Sequence, residues 1–181
     1  RALFSVIKRY LKECKDIRFD GNGYSAEWEK EAKKRGLDTE TSVPLMIDQY
    51  LRKSSIQMFT STGVLSKSEL HSRCEVKWEN YSMKLQIESR VLGDLVINHI
   101  LPAAKRYQTV LLQNVQGVKQ VFSASEAEKL NEQDILLIRS IENHTSAITA
   151  KVNNMNKERA RANHIDNQRE RAITFHDYVV P

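Results

Sequence analysis

The chain has 181 residues, 40% apolar and 28% charged, a balance that suits a folded helical protein and excludes a disordered one. No run of eighteen apolar residues occurs, so no membrane span is expected; the net charge of +5 raises nucleic acid as a partner without requiring it. Cys14 and Cys74 supply neither a disulfide framework nor a metal spacing, which points to a reducing, cytoplasmic setting.

With only 6 glycines and 3 prolines, long helices and few turns are expected. The chain opens on Arg1-Ala2-Leu3-Phe4, already an amphipathic pattern without a signal peptide, and stops abruptly at Tyr178-Val179-Val180-Pro181. It therefore reads as a piece of something longer. Leu3, Val6, Ile7, Tyr10, Leu11 and Cys14 form the apolar face of a first predicted helix. A loop follows, in which Gly21-Asn22-Gly23 permits positive φ at successive positions and Tyr24 and Trp28 anchor the turn against the core. Ser25 caps a short helix carrying Trp28 and Ala32, and Gly36 takes the position just past its end. After a polar connector, Pro44 suits a first helical turn, and Met46, Ile47, Tyr50 and Leu51 give the next buried face. Ile56, Met58 and Phe59 extend or restart it, and Gly63 stops it.

Near Gly63 the chain changes style, which places the best internal boundary between residues 1–65 and 66–181. Ser66-Lys67-Ser68-Glu69 is a capping box opening a very long predicted helix, Ser66 to Val115. Leu70, Cys74, Trp78, Tyr81, Leu85, Leu92, Leu95 and His99 fall on steps of four and three, with Glu88 in the one polar gap. Such a stripe is the seam of a packed helical hairpin. From Lys67 to Leu101 it spans roughly 50 Å, too long to stand alone. Pro102 predicts a kink near Asn98, beyond which Ala103, Tyr107, Val110, Leu111 and Val115 keep the period until Gly117 ends it. Ser123-Ala124-Ser125-Glu126 caps a returning helix, with Leu130, Leu137, Ile141, Ile148, Val152 and Met155 at heptad-like spacing, running to about Asn163. Asp166 caps a last helix bearing Ile173, His176, Val179 and Val180. The expected fold is all-α: short helices, then a long antiparallel hairpin or bundle.

Several polar groups carry a functional reading beside a plainer one. Arg90 and Asp94 lie four apart and pair along the helix, and Glu88, Asp94 and His99 could ligate metal or act as an acid–base set. Bundle metal sites draw ligands from several helices, often as Glu-x-x-His; Glu142 and His144 have the wrong spacing. An interhelical polar network or a subunit interface is the stronger reading, and no metal ligand is assigned. Gly21-Asn22-Gly23 invites a phosphate cradle, yet it lacks the Lys-Ser/Thr ending of a P-loop and follows a helix, not a strand. The basic run Lys157, Arg159, Arg161, Arg169 and Arg171 holds no aromatic side chain to stack a base, which disfavours nucleic acid. No nucleophile–base arrangement is visible, so no catalytic residue is assigned.

Ile17-Arg18-Phe19-Asp20-Gly21-Asn22-Gly23-Tyr24-Ser25-Ala26-Glu27-Trp28 and Glu31-Ala32-Lys33-Lys34-Arg35-Gly36-Leu37 together carry a resemblance. So do Gln86-Ile87-Glu88-Ser89-Arg90-Val91-Leu92-Gly93-Asp94-Leu95 and Asn98-His99-Ile100-Leu101-Pro102-Ala103-Ala104, with Tyr107-Gln108 and Glu142-Asn143-His144 in place. The chain resembles the C-terminal part of the type III glutamine synthetases, over nearly its whole length. The resemblance implies that residues 1–65, and the start of the long helix to about Tyr81, are terminal helices of the catalytic domain; residues 66–181 are the helical extension. It implies a parent that makes glutamine from glutamate, ammonia and ATP with Mg²⁺ or Mn²⁺, through residues upstream of Arg1. No cofactor is expected in the fragment itself. The implied partners are the rest of the catalytic chain and neighbouring subunits in two hexameric rings. Gly21, Asn22, Gly23 and Tyr24 would border the parent's active site; Trp78, Tyr81, Arg90, Leu92, Asp94 and His99 would serve packing or an interface. The competing reading is an independent helical module binding a protein or nucleic acid.

Overall fold

The computed structural model describes residues 2–180, which form helices and turns with no strand among the described residues. Two compact units divide at Ser42/Val43, upstream of the change in style near Gly63, so that residues 43–65 fold with the long helices.

The first unit contains α1 (Ala2–Glu13), a 3-10 turn at Lys15–Ile17 and α2 (Ala26–Lys34). The Ser25 oxygen accepts from the Trp28 amide at 3.2 Å and starts α2. At its end Gly36 adopts φ +72°, which lets the Leu37 amide reach the Ala32 carbonyl and the Gly36 amide reach Lys33. Arg35 ties the loop to this helix: its Nε donates to Glu31, its Nη1 to the carbonyl oxygens of Arg18 and Asp16.

The second unit begins with α3 (Val43–Asp48), a 3-10 turn at Gln49–Leu51 and α4 (Lys53–Ser61). Gly63 at φ +67° closes α4 with the same pair of reversed hydrogen bonds seen at Gly36. The Ser66–Glu69 box then opens α5 (Lys67–Leu95), which passes through a π-helical turn (Val96–Ile100) into α6 (Leu101–Val121). Together they make one 55-residue helix, about 80 Å long. The π turn sits where a kink was expected. Pro102 has no amide to give Asn98, and a turn one residue wider removes the clash between its ring and that carbonyl. Gly117 does not end α6; it keeps a negative φ, Val118 continues the seam, and the helix stops at extended Phe122. The Ser123–Glu126 box starts α7 (Ala124–Asn163), which returns antiparallel along α6 and then α5. Asn167, not Asp166, caps α8 (Gln168–Thr174), because its Oδ1 is the oxygen that reaches the Glu170 amide, at 3.0 Å. A second π turn, Phe175–Val179, follows.

The core lies where α8 and this last turn fold back on α5. Ile47, Cys74, Trp78 and Ala172 form one buried cluster, with Leu51 and Tyr81 at its edge. Ala162, Phe175 and Val179 form another, bordered by Leu85 and Met155. Arg169 clamps α8 to α3 through two hydrogen bonds to Asp48, at 2.8 and 2.6 Å.

Along the hairpin the seam differs from the expected stripe. On α5 it runs through Leu70, Cys74, Trp78, Ser82, Ser89, Gly93 and then Val96, leaving Leu92, Leu95 and His99 outside. On α6 the buried positions are Gln108, Leu111 and Val115, while Tyr107 and Val110 are exposed. On α7 they are Ala127, Asn131, Thr145, Val152 and Ala162, while Leu130 and Leu137 are exposed. A heptad series advances by 3.5 residues per turn, whereas a straight helix takes 3.6, so the series slips by about 20° per heptad. By His99 the slip has carried it off the contact line. The real seam takes steps of four more often than three.

Candidate functional site

The glycine loop is closed on itself. Asn22 Oδ1 accepts the Tyr24 amide at 3.0 Å, and the Asn22 carbonyl accepts the Ser25 amide at 3.1 Å. Neither Gly21 nor Gly23 has positive φ, contrary to expectation. Gly21 is required by space instead: a Cβ there would stand 2.5 Å from the Phe19 ring. That ring packs on Trp28 with centroids 4.4 Å apart. Trp28 thus anchors the loop as expected, whereas Tyr24 does not, being fully exposed at 101%. The Tyr24 and Ser25 amides are thus already bonded within the loop, and the Phe19 ring lies against Gly21.

Trp78 is 3% exposed, and its Nε1 donates to the Pro44 carbonyl at 3.1 Å. Tyr81 meets His176 of the last turn, oxygen to Nδ1, at 3.0 Å. Burial, then the nearby Asp177 and Glu88 carboxylates, push the Tyr81 phenol above its ordinary pKa; burial does the same to the Cys74 thiol. These residues hold α5, α3 and the C-terminal turn together.

Arg90 and Asp94 come together at the crossing of α5 and α7, lining one cleft with Asn98, Asn156 and Arg159. No ion pair joins Arg90 to Asp94 among the described residues; Asp94 Oδ1 accepts from Asn98 Nδ2 at 2.7 Å instead. Leu92, 49% exposed, is not a hairpin contact, and His99 is exposed as well. No group of three His, Cys, Asp or Glu side chains among the described residues is placed to hold a metal ion.

The basic run near the C-terminus is largely engaged within the fold. Arg159 donates to Asn156, Arg161 pairs with Glu158 and lies over the Tyr178 ring, Arg169 pairs with Asp48, and Arg171 donates to the Ile165 carbonyl. Across the hairpin, Glu142 takes hydrogen bonds from Lys105 and Gln108, which hold its carboxyl below the usual range. The buried Asn131 amide donates to the Val115 carbonyl at 3.2 Å. Polar and small residues thus make up much of the internal seam.

The feature that sequence reading missed is apolar and outward. Val76, Met83, Ile87 and Val91, at i, i+7, i+11 and i+15, form a stripe on the face of α5 opposite its seam, and all four are exposed. The spacing was legible, but a competing stripe on the same helix hid it. The exposed Tyr107, Val110, Leu130 and Leu137 on the hairpin add to the uncovered apolar surface. Large exposed apolar patches mark interaction sites in general, whereas single exposed apolar residues are ordinary. No helix among the described residues is long and apolar enough to cross a membrane.

Comparison with known proteins agrees with the resemblance read from the motifs. The glutamine synthetase C-terminal domain model matches residues 2–119. A glutamine synthetase of Bacteroides fragilis is 41% identical over 180 residues, covering 99% of this chain and 25% of that protein. A glutamine synthetase of Butyrivibrio fibrisolvens is 33% identical over 116 residues (64% of this chain, 17% of that protein). The type-3 glutamine synthetase of Dictyostelium discoideum is 33% identical over 117 residues (65% and 16%). The chain spans a quarter or less of the length of these curated relatives. With a family model covering most of its length, the chain belongs to the glutamine synthetase C-terminal domain family.

Proposed function

We propose that these residues are the C-terminal helical part of a cytoplasmic type III glutamine synthetase and act as its assembly module. The parent joins ammonia to glutamate at the expense of ATP, with Mg²⁺ or Mn²⁺ held by residues outside this chain. The observation that carries the reading is the uncovered Val76, Met83, Ile87 and Val91 stripe, on a helix whose other face is already packed. Burying those four side chains against another helix removes apolar area at about 25 cal/mol per Å². The helix α1 supports the same view: Leu3, Phe4, Ile7, Tyr10 and Leu11 are all exposed, an apolar face suited to the rest of a longer protein. Partners are therefore the catalytic part of the same chain and neighbouring subunits, in a ring-forming homo-oligomer.

Two measurements test this. The double variant Met83→Lys, Ile87→Lys in the full-length enzyme should lower the mass in sedimentation velocity while leaving helical content unchanged; an unaltered assembly would sink the reading. The 181-residue chain alone should form no glutamine from glutamate, ammonia and Mg²⁺-ATP, and measurable turnover would refute the assignment of catalysis to other residues. An independent nucleic-acid module is disfavoured because Arg161, Arg169 and Arg171 already have partners in the fold.

A further inference from the structure

The cleft at the crossing of α5 and α7 lies between the hairpin seam, which lends it Gly93, and the exposed stripe, which lends it Val91. It encloses about 500 Å³, with Arg90, Asp94 and Asn98 on one wall, Asn156 and Arg159 on the other, and Gly93 between. We propose that this cleft binds one oxyanion, a phosphate or a carboxylate, between Arg90 and Arg159.

Three observations carry the proposal. Arg90 has no ion-pair partner among the described residues, because the expected Asp94 is held by Asn98. Arg159 lines the facing wall and donates Nη2 to Asn156 Oδ1 at 3.2 Å, and no carboxylate among the described residues pairs with its guanidinium. Guanidinium groups match oxyanions with paired donors, and two such groups against one carboxylate leave the cleft net positive. Gly93 brings the α5 backbone up to Asn156, so that a Cβ there would stand in contact with Asn156 Oδ1 at 3.4 Å. The adjoining π turn, Val96–Ile100, displaces Ile97 and Asn98 from regular helical positions and shapes one end. The oxyanion has two sources: a free anion in solution, or a carboxylate side chain of a second copy, in which case the cleft extends the assembly role.

Titration with inorganic phosphate at constant ionic strength, followed by amide chemical shifts and by sedimentation, decides among them. The wild-type protein should show saturable shifts at Arg90, Gly93 and Arg159. Arg90→Gln, an exposed substitution that leaves the packing alone, should weaken binding by about tenfold. Asp94→Asn should strengthen it, a sign that a merely structural role for Asp94 would not produce. A fall in mass on adding phosphate identifies a carboxylate of a second copy as the native occupant; saturation at constant mass identifies a free anion. Absence of saturable shifts, or affinity that neither Arg90→Gln nor Asp94→Asn changes, overturns the proposal and leaves the assembly reading untouched.

Discussion

Replacing Trp78 by phenylalanine tests the core that holds α3 and α8 to α5. Trp78 lies among Ile47, Cys74 and Ala172, and its indole nitrogen supplies the hydrogen bond at the buried Pro44 carbonyl. Phenylalanine cannot make that bond, and a buried carbonyl left unpaired costs about 1–3 kcal/mol. The smaller ring also leaves a void of roughly three heavy atoms, worth about 2 kcal/mol at about 0.8 per buried methylene. Together the loss is about 4 kcal/mol, a large share of the roughly 5–15 kcal/mol typical of a folded domain. Urea unfolding followed by far-ultraviolet circular dichroism, with a slope of about 2 kcal/mol per molar, should show the midpoint falling by about 2 M. A fall below about 0.5 M would mean that Trp78 neither bonds Pro44 nor fills the cluster, and the placement of α3 on α5 would be wrong.

Three further outcomes follow from particular contacts. Gly63→Ala should destabilise by about 1–2 kcal/mol, since φ +67° penalises a Cβ while nothing within 4 Å would clash; a neutral result in chemical denaturation would contradict the left-handed turn. Asp48→Ala removes the two-bond clamp from Arg169, a half-exposed pair worth about 1 kcal/mol, and should lower the melting temperature by about 2–4 °C. Glu142 is held below its ordinary pKa of 4.5 by Lys105 first and Gln108 second. A depressed carboxyl stabilises the fold above the ordinary value and loses that contribution as pH falls through the folded value. Glu142→Gln should therefore lose less stability than the wild type on acidification below 4.5, and parallel acid limbs would refute the hydrogen bonds.

Most helix ends were readable because each rests on a local chemical device; Gly117, which α6 passes through, and Asp166, one residue before the Asn167 cap, were the exceptions. Ser66 with Glu69, Ser123 with Glu126, Gly36 and Gly63 all act within four residues of where they stand, so no tertiary information is needed to place them. The contact line between helices is different. A one-residue error rotates a side chain by about 100°, and the choice between Tyr107 and Gln108 as the buried residue depends on what α7 presents opposite. Gln108 wins because Glu142 and the Ile138 carbonyl accept from it, contacts that come from residues thirty and more positions away. The π turn adds a further shift of phase between α5 and α6 that Pro102 hints at without fixing. For the same reason the cleft was half visible: Arg90, Asp94 and Asn98 share a face by spacing, while Asn156 and Arg159 join them only when α7 returns.

The wrong phase has a functional corollary. Had the large side chains at 92, 95, 107, 110, 130 and 137 filled the seam, the hairpin would be a closed pair with polar outer faces. Instead Ser82, Ser89, Gly93, Gln108, Asn131 and Thr145 occupy it, and the bulkier groups look outward. Small seam residues bring helix axes close and bury little apolar area, so such a pair draws limited stability from its own contact. Its larger apolar reserve lies on the outside, the surface that the proposed assembly would cover. Methionine and isoleucine at 83 and 87 are therefore the positions where a single charge should disturb assembly before it disturbs the helix, and Ser82 or Ser89 the positions where added bulk should do the reverse.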